Sequence, residues 1–239
     1  MMSLTDFARL RVLGMTACDA REGLAVDERL FEELECDPAR PGYLRVWESH
    51  APAVVLGRSG RREQEVDSAA CERLGVPVLR RSSGGGTVVV GPGCLNYSLI
   101  LSLESYTAFR DVRTSFCEIL RWVVGALAVE GLAVRGQSDL AIADRKVSGS
   151  AQRRGRRVLL HHGTLLYGFD AELAERLLPM PPRRPEYRRD RSHREFLGNL
   201  PLGREEIVRR LTLGVTVGKA APEELAAKQG YLRGCTIRS

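Results

Sequence analysis

The apolar positions along the chain switch between helical and strand spacing, and this switching predicts a mixed α and β fold. In residues 19–35, Leu24, Leu30, Phe31 and Leu34 recur at helical spacing. Residues 105–130 carry a longer apolar stripe at the same spacing, which predicts a second amphipathic helix. The segments whose patterns predict strands are 43–48, 53–57, 76–80, 87–90, 94–102, two strands within 139–152 that meet at a turn at Ala143-Asp144-Arg145, and 157–169.

The remaining segments predict short helices and one long loop. Short helices are expected at 64–74, 203–213 and 221–229. Residues 179–196 contain four prolines and six arginines, so a loop is expected there. The order of these elements predicts an α+β fold, in which a mixed, largely antiparallel sheet has helices on its flanks.

Composition narrows the class of protein. Of the 239 residues, 44% are hydrophobic, which is enough for a packed core. No apolar run is long enough to span a bilayer, and the N-terminal segment lacks the features of a signal peptide. Six cysteines occur without a C-x-x-C pair, which predicts reduced thiols, no metal site and a cytoplasmic protein.

Arginine supplies almost all of the positive charge of the chain. The formal net charge is +6, which fits nucleic acid, an acidic protein partner or a phosphorylated ligand. Of the 36 basic residues only Lys146, Lys219 and Lys228 are lysine. Small residues follow Lys146 at 148–151 and leave room beside its strand, so Lys146 is either a ligand-binding group or a solvated surface lysine.

The segment RRSSGGGT, residues 80–87, places three glycines between two predicted strands. Glycines permit positive φ and close approach of the backbone to a ligand, so the segment is either a tight hairpin or a ligand cradle. The adjacent Arg80 and Arg81 favour an anionic ligand, because guanidinium groups bind carboxylate and phosphate through paired hydrogen bonds. Farther on, His161 and His162 are expected on opposite faces of one strand, so the two cannot serve a single site.

The chain contains three segments in this order: RRSSGGGTVV with CLNYSLIL, DLAIADRKVSGSAQ, and HHGTLL. They resemble the signature segments of the lipoate–protein ligase and octanoyltransferase family, which is related in fold to biotin–protein ligases. The resemblance covers roughly residues 20–200, and it implies the biotin/lipoate protein ligase catalytic domain, a fold similar to that of class II aminoacyl-tRNA synthetases. With this resemblance, 1–204 is the expected catalytic domain and 205–239 a short helical tail without a full accessory domain.

The resemblance also implies roles for individual residues. The family's lysine beside the acyl carboxyl corresponds to Lys146, the expected catalytic residue, and its glycine loop covers the acyl chain or adenylate. Compact ammonium and backbone donors suit the negative charge that develops during acyl adenylation. The expected acyl- or adenylate-binding residues are Arg81, Ser83, Gly84, Gly85, Gly86, Asn96, Asp139, Ser148, Gly149, His162, Gly163 and Thr164.

The activity implied is that of an ATP-dependent ligase, with Mg²⁺ and ATP as co-substrates, which joins lipoate or octanoate to a lysine of an acceptor lipoyl domain. The acceptor would be the E2 subunit of a 2-oxoacid dehydrogenase or the glycine cleavage H protein. Ser138 stands where many ligases have asparagine, and the short tail suggests a separate accessory chain for adenylation. Two alternatives stay open: a transferase that takes the acyl group from a protein thioester, and a non-catalytic relative that binds ligand or nucleic acid through the arginines of 183–194.

Overall fold

The computed structural model describes residues 10–213 and 215, and it contains two β-sheets. All neighbouring strands of the larger sheet pair antiparallel except Arg11–Cys18 and Tyr43–Ser49, which are parallel and are connected through the first helix. The larger sheet has the spatial order β1 (Arg11–Cys18), β2 (Tyr43–Ser49), β6 (Cys94–Ser102), β10 (Val158–Leu166), β9 (Arg145–Arg154), β8 (Asp139–Ile142) and β7 (Leu132–Arg135). The smaller sheet has the order β4 (Val78–Arg80), β3 (Ala53–Leu56) and β5 (Val88–Val90). The predicted α+β class with a mixed, largely antiparallel sheet is confirmed.

Seven α-helices accompany the two sheets in the described part of the chain. They are α1 (Ala20–Cys36), α2 (Arg62–Glu65), α3 (Ser68–Arg73), α4 (Val112–Leu127), α5 (Ala171–Leu177), α6 (His193–Phe196) and α7 (Arg204–Thr212). None of the helices in the described part of the chain has the length and apolar character needed to cross a membrane.

Several element predictions need correction. The helix expected at 64–74 is two short helices, because Asp67 accepts a hydrogen bond from Ala70 N–H and so starts α3. The long helix begins only at Val112, after its N-cap Asp111, and a 3₁₀ turn precedes it. The expected loop 179–196 contains a 3₁₀ turn, Glu186–Arg188, and α6.

Three further elements were not predicted from the sequence, and one predicted helix lies outside the described residues. The strands β1 and β7 and the helix α5 were not predicted. β7 has only four residues, too few for its alternation to stand out, and β1 lies at the opposite edge of the sheet with irregular burial. α7 confirms the short helix near 203–213, whereas the helix expected at 221–229 lies outside the described residues.

Side chains along β6 alternate between an apolar face and a polar face of the sheet. Leu95, Tyr97 and Leu99 pack in the core that α4 and α7 cover. Asn96 and Ser98 alternate with them and are buried on the other face, towards α1 and the smaller sheet. The polar face of this central strand is therefore enclosed, and its polar groups need partners within the protein.

A buried ion pair joins α1 to this polar face. Asp27 on α1 lies 2.7 Å from Nη1 of Arg45 on β2, and both side chains are almost fully buried. The second oxygen of Asp27 accepts a hydrogen bond of 2.6 Å from Ser98 Oγ, and Arg45 donates to the carbonyl of Gly23 at 2.8 Å. Every charged group of the pair is thus hydrogen-bonded.

We expect Asp27→Ala to lower the free energy of unfolding by about 3–5 kcal/mol, because it leaves the Arg45 guanidinium buried without a counter-charge. Urea denaturation followed by circular dichroism measures the change. Asp190→Ala is the matched control, since Asp190 forms its ion pair with Arg184 at an exposed position and such pairs contribute little. Equal midpoints for the two variants would contradict the prediction.

Candidate active site

The glycine segment passes over the end of β3 and does not form a hairpin. β4 and β5 flank it in sequence, yet each pairs with β3 and not with the other. The segment therefore crosses above the last residues of β3, where Gly57 lies. A Cβ at Gly57 would lie 2.1 Å from the carbonyl oxygen of Gly85, and Gly85 itself has φ +86. Both glycines are required by this crossing, and the tight-hairpin alternative is wrong.

Arg81 holds the glycine segment through its backbone. Its guanidinium donates to the carbonyls of Gly84 at 2.6 Å and Gly86 at 2.8 Å, and its Nε donates to Ser83 Oγ at 2.9 Å. Burial lowers the pKa of Arg81 to about 10, so it stays a cation at neutral pH. The neighbouring Arg80 donates to the carbonyls of Gly57 and Gly60 in the same way. The two arginines thus bind carbonyl oxygens of the protein, a task that the sequence analysis did not anticipate.

Four strands bring a row of polar residues together on the enclosed face of the sheet. Asn96 on β6 lies opposite Thr164 on β10. Thr164 Oγ1 accepts a hydrogen bond of 3.4 Å from the N–H of Gly149 on β9, and Gly149 lies opposite Asp139 on β8. The register of the sheet therefore assembles four of the predicted site residues, although they are far apart in sequence.

A second row connects the sheet to the glycine segment. His162 lies opposite Ser98 on one side and Ala151 on the other. Its Nε2 is 2.6 Å from Ser83 Oγ, and its Nδ1 is 4.0 Å from the Asp27 carboxylate. A Cβ at Gly85 would lie 3.7 Å from that of Ala151, so the glycine segment lies above β9. Burial, with the nearby Arg81 charge, lowers the pKa of His162 to about 3, so its imidazole is neutral at neutral pH.

A β-bulge brings Lys146 to the polar face. In the β8–β9 pairing Leu140 lies opposite Ser148 and Ala141 lies opposite Lys146, so Val147 is an extra residue. Strict alternation would put Lys146 and Gly149 on opposite faces. The bulge instead allows Lys146 Nζ to lie 2.8 Å from Asp139 Oδ1, and a Cβ at Gly149 would come within 2.8 Å of Nζ. The absence of a side chain at Gly149 leaves room for the ammonium group.

Two predicted site residues lie towards the other face. A Cβ at Gly163 would lie 2.6 Å from Ser150 Oγ and 2.7 Å from the ring of Tyr97, whose side chain packs in the core under α4. Ser148 pairs with Leu140 of that same core, and its buried hydroxyl has no hydrogen-bond partner among the described residues. The structure thus separates Gly163 and Ser148 from the polar row.

His161 lies on the opposite face from His162, as the sequence predicts, and its side chain faces α4. Its Nε2 is 3.3 Å from the Tyr97 hydroxyl, its Nδ1 is 3.1 Å from Gln152 Nε2, and its ring meets that of Phe116 edge-on. Burial, with His162 alongside, lowers the pKa of His161 to about 3. A neutral histidine in this core stabilises packing and takes no part in the polar row.

Three polar residues of the site were missed by sequence reasoning. Tyr187 donates its hydroxyl hydrogen to Asp139 Oδ2 at 2.9 Å. Glu28 accepts hydrogen bonds from Ser82 and Arg153, next to Asp27 on α1. Asp27 carried a signal, because it is a charged residue on the apolar stripe of its helix. Tyr187 carried none, since it stands in a proline- and arginine-rich segment without periodicity.

Three buried cysteines lie in environments that disfavour a thiolate. Burial raises the pKa of Cys94, which starts β6 close to the polar row, to about 12. Burial also raises the pKa of Cys18 and of Cys71. Cys235 lies outside the described residues. The Lys146 ammonium, by contrast, has the charge needed to neutralise negative charge that develops on a ligand oxygen.

We expect the buried histidines to make the protein less stable below about pH 6.5. The unfolded imidazole titrates near 6.5 and the folded one at about 3, so the unfolded state binds a proton that the folded state does not. The free energy of unfolding then falls with decreasing pH by at most about 1.4 kcal/mol per pH unit for each histidine. His161→Gln should flatten this slope between pH 6.5 and 5, measured by urea denaturation. His50→Gln, at an exposed position, is the control; an equal flattening there would contradict the assignment.

Known proteins resemble this chain over most of its length. The family model of the lipoyl protein ligase A/B catalytic domain matches residues 19–207. The octanoyltransferase LipM of Carboxydothermus hydrogenoformans is 30% identical over 175 residues, which are 66% of this chain and 64% of that protein. Lipoate–protein ligase 1 of Staphylococcus aureus is 26% identical over 212 residues, which are 86% of this chain and 62% of that protein. The chain spans less than two thirds of the length of these two relatives.

Solved structures share the fold. A bi-partite lipoate protein ligase from Thermoplasma acidophilum, studied with its E2 lipoyl domain, superposes with a TM-score of 0.74 at 23% identity, over 95% of this chain and 92% of that one. A lipoate–protein ligase A bound with ATP superposes with a TM-score of 0.73 at 20% identity, over 95% of each chain. Since the family model matches most of the chain and the solved ligases share its architecture, this protein belongs to the lipoyl protein ligase A/B catalytic domain family.

Proposed function

We propose that the chain is an ATP-dependent ligase that joins lipoate or octanoate to a lysine of an acceptor lipoyl domain through an acyl-adenylate. The observation that carries the proposal is the Lys146 ammonium, which the bulge at Val147 directs to the polar row. An ammonium group held by a carboxylate, beside polar side chains and a backbone-lined crossing, suits a ligand with a carboxylate head and an apolar chain.

In the proposed reaction, a carboxylate oxygen of the fatty acid attacks the α-phosphorus of ATP, which is used with Mg²⁺. An acyl–phosphate anhydride forms and pyrophosphate leaves. The neutral amine of the acceptor lysine then attacks the acyl carbon, the amide forms, AMP leaves, and the nitrogen loses a proton. Negative charge grows on phosphate oxygens in the first step and on the acyl oxygen in the second. The Lys146 ammonium would neutralise both, and Asp139 holds it in place.

The environment of Cys94 also supports the ligase route. A thioester route needs a thiol that ionises readily beside the acyl carbon. Cys94 is the cysteine closest in sequence to the polar row, and its raised pKa opposes that role. A second candidate function remains the transfer of an acyl group from an acyl-protein donor. It is favoured by the 30% identity to an octanoyltransferase.

Partners follow from the same proposal. The acceptor would be an E2 lipoyl domain or the glycine cleavage H protein, and the proposed setting is the cytoplasm. A separate accessory chain for adenylation is supported by the bi-partite organisation of the Thermoplasma ligase. Binding of nucleic acid through 183–194 finds less support, because Arg188 and Arg191 stack on Phe196 and Arg184 pairs with Asp190.

The ligase route is tested by the donor that the protein accepts. We expect purified protein with octanoate or lipoate and ATP-Mg to form acyl-AMP, detected by mass spectrometry, and supplied lipoyl-AMP to be transferred faster than it is made. Cys94→Ser should leave transfer within about threefold, an effect below ~1 kcal/mol. A hydroxylamine-sensitive octanoyl adduct on a cysteine, formed from octanoyl acyl carrier protein, would overturn the ligase route in favour of the transferase.

Replacement of the ammonium group should stop transfer by either route. We expect Lys146→Ala to reduce acyl transfer by roughly 10²–10³, the usual loss when one preorganised donor to a developing charge is removed. Lys146→Arg should fail as well, because the planar guanidinium does not fit the space above Gly149. Arg121→Ala removes an exposed cation of α4 and serves as the control. Turnover near that of the wild type in Lys146→Arg would show that the lysine is not a positioned group.

A further inference from the structure

We infer that Tyr187 is a positioning residue that orients Lys146 through the Asp139 carboxylate. The inference rests on the proposed function, in which Lys146 carries the chemistry. Tyr187 comes from the proline- and arginine-rich segment, far in sequence from the hairpin of β8 and β9 that supplies the other two residues.

The two oxygens of Asp139 have different partners. Oδ1 lies 2.8 Å from Lys146 Nζ, and Oδ2 accepts a hydrogen bond of 2.9 Å from the Tyr187 hydroxyl. Asp139 is buried, and its remaining described contact, from Ser138 Oγ, is long at 3.4 Å. The tyrosine hydroxyl therefore fixes the plane of the carboxylate and with it the direction in which Oδ1 faces the ammonium.

Tyr187 is itself held against the hairpin. Arg191 donates to the carbonyl of Tyr187 at 2.6 Å and to that of Asp144, in the β8–β9 turn, at 2.8 Å. The Tyr187 ring lies 5.2 Å from the ring of Phe196. The backbone of Lys146 is tied to the same segment, since its carbonyl accepts from Gly198 N–H at 2.9 Å. Hydrogen bonds within and to the 187–198 segment thus hold the backbone at both Tyr187 and Lys146, the two ends of this series of contacts.

The contact of Tyr187 with Asp139 restrains a lysine side chain that would otherwise be flexible. The side chain is flexible, and a partly exposed ion pair restrains it only weakly unless its partner is fixed. Lys146 remains 24% exposed, whereas Asp139 is 7% exposed. Burial and the Asp139 charge raise the pKa of Tyr187, so its hydroxyl keeps its proton at neutral pH and donates.

The first measurement is the rate of acyl transfer with the donor that the wild-type protein accepts. Tyr187→Phe keeps the contact with Phe196 and removes only the hydroxyl. We expect kcat to fall about tenfold while KM for the acyl donor stays within about twofold. Tyr167→Phe is the matched control, because Tyr167 also donates to a carboxylate, that of Glu48 at 2.8 Å, away from the polar row. An equal fall in kcat for the control would overturn the inference.

A double-mutant cycle with Asp139→Asn tests whether Tyr187 acts through the carboxylate. If it does, Tyr187→Phe has no further effect on kcat in the Asp139→Asn background. Independent, additive losses would overturn the inference, because they would assign Tyr187 an action that does not pass through Asp139.

A third measurement does not depend on the reaction. The chain has three lysines, so trace acetylation with acetic anhydride and peptide mass spectrometry can compare Lys146 with Lys219 and Lys228 as internal references. We expect Tyr187→Phe, and not Tyr167→Phe, to raise the relative labelling of Lys146 by about threefold or more, since a freed amine reacts faster than one held in an ion pair. Unchanged labelling would overturn the inference. If the wild-type protein transfers from no donor, the proposed function fails, and labelling alone decides the role of Tyr187.

Discussion

The buried hydrogen bonds of the Asp27 carboxylate are the interactions on which the rest of the site depends. One of its oxygens binds Arg45 and the other accepts from Ser98, on two adjacent strands of the larger sheet. His162 lies 4.0 Å away and in turn contacts Ser83, at the start of the glycine segment. A buried charge of this kind is tolerated only when each oxygen has a partner. Those partners fix α1, the sheet and the glycine segment relative to one another.

Arginine and lysine have separate tasks in this protein. Arg45, Arg80 and Arg81 donate to protein oxygens and hold backbone segments together, for which the forked guanidinium is suited. Lys146, the sole lysine in the described part of the chain, pairs with the Asp139 carboxylate of the polar row and remains partly exposed. These three arginines thus serve the structure, and Lys146 is the cation that the proposed function assigns to the ligand.

The site was largely predictable where a motif and a strand coincide. Asn96, Thr164, Gly149 and Asp139 were expected in the site from their segments, and the register of four strands places them side by side. Glycines at 84–86 were expected as well, but two readings of them stayed open. Strand order excludes the hairpin, since β4 and β5 do not pair with each other. No local pattern reports which strands are neighbours when they are distant in sequence.

The sequence by itself determined the family, the fold class, the opposite faces of His161 and His162 on β10, and Lys146 as the unusual cation. These follow from composition, motifs and spacing, which are local properties of the chain. The tertiary structure decided the bulge at Val147, the use of Arg81 to hold carbonyls, the separation of Gly163 from the polar row, and the contact of Tyr187 with Asp139. Each of these depends on the partner that a residue meets across strands or from a distant segment, and that partner is set by packing and register.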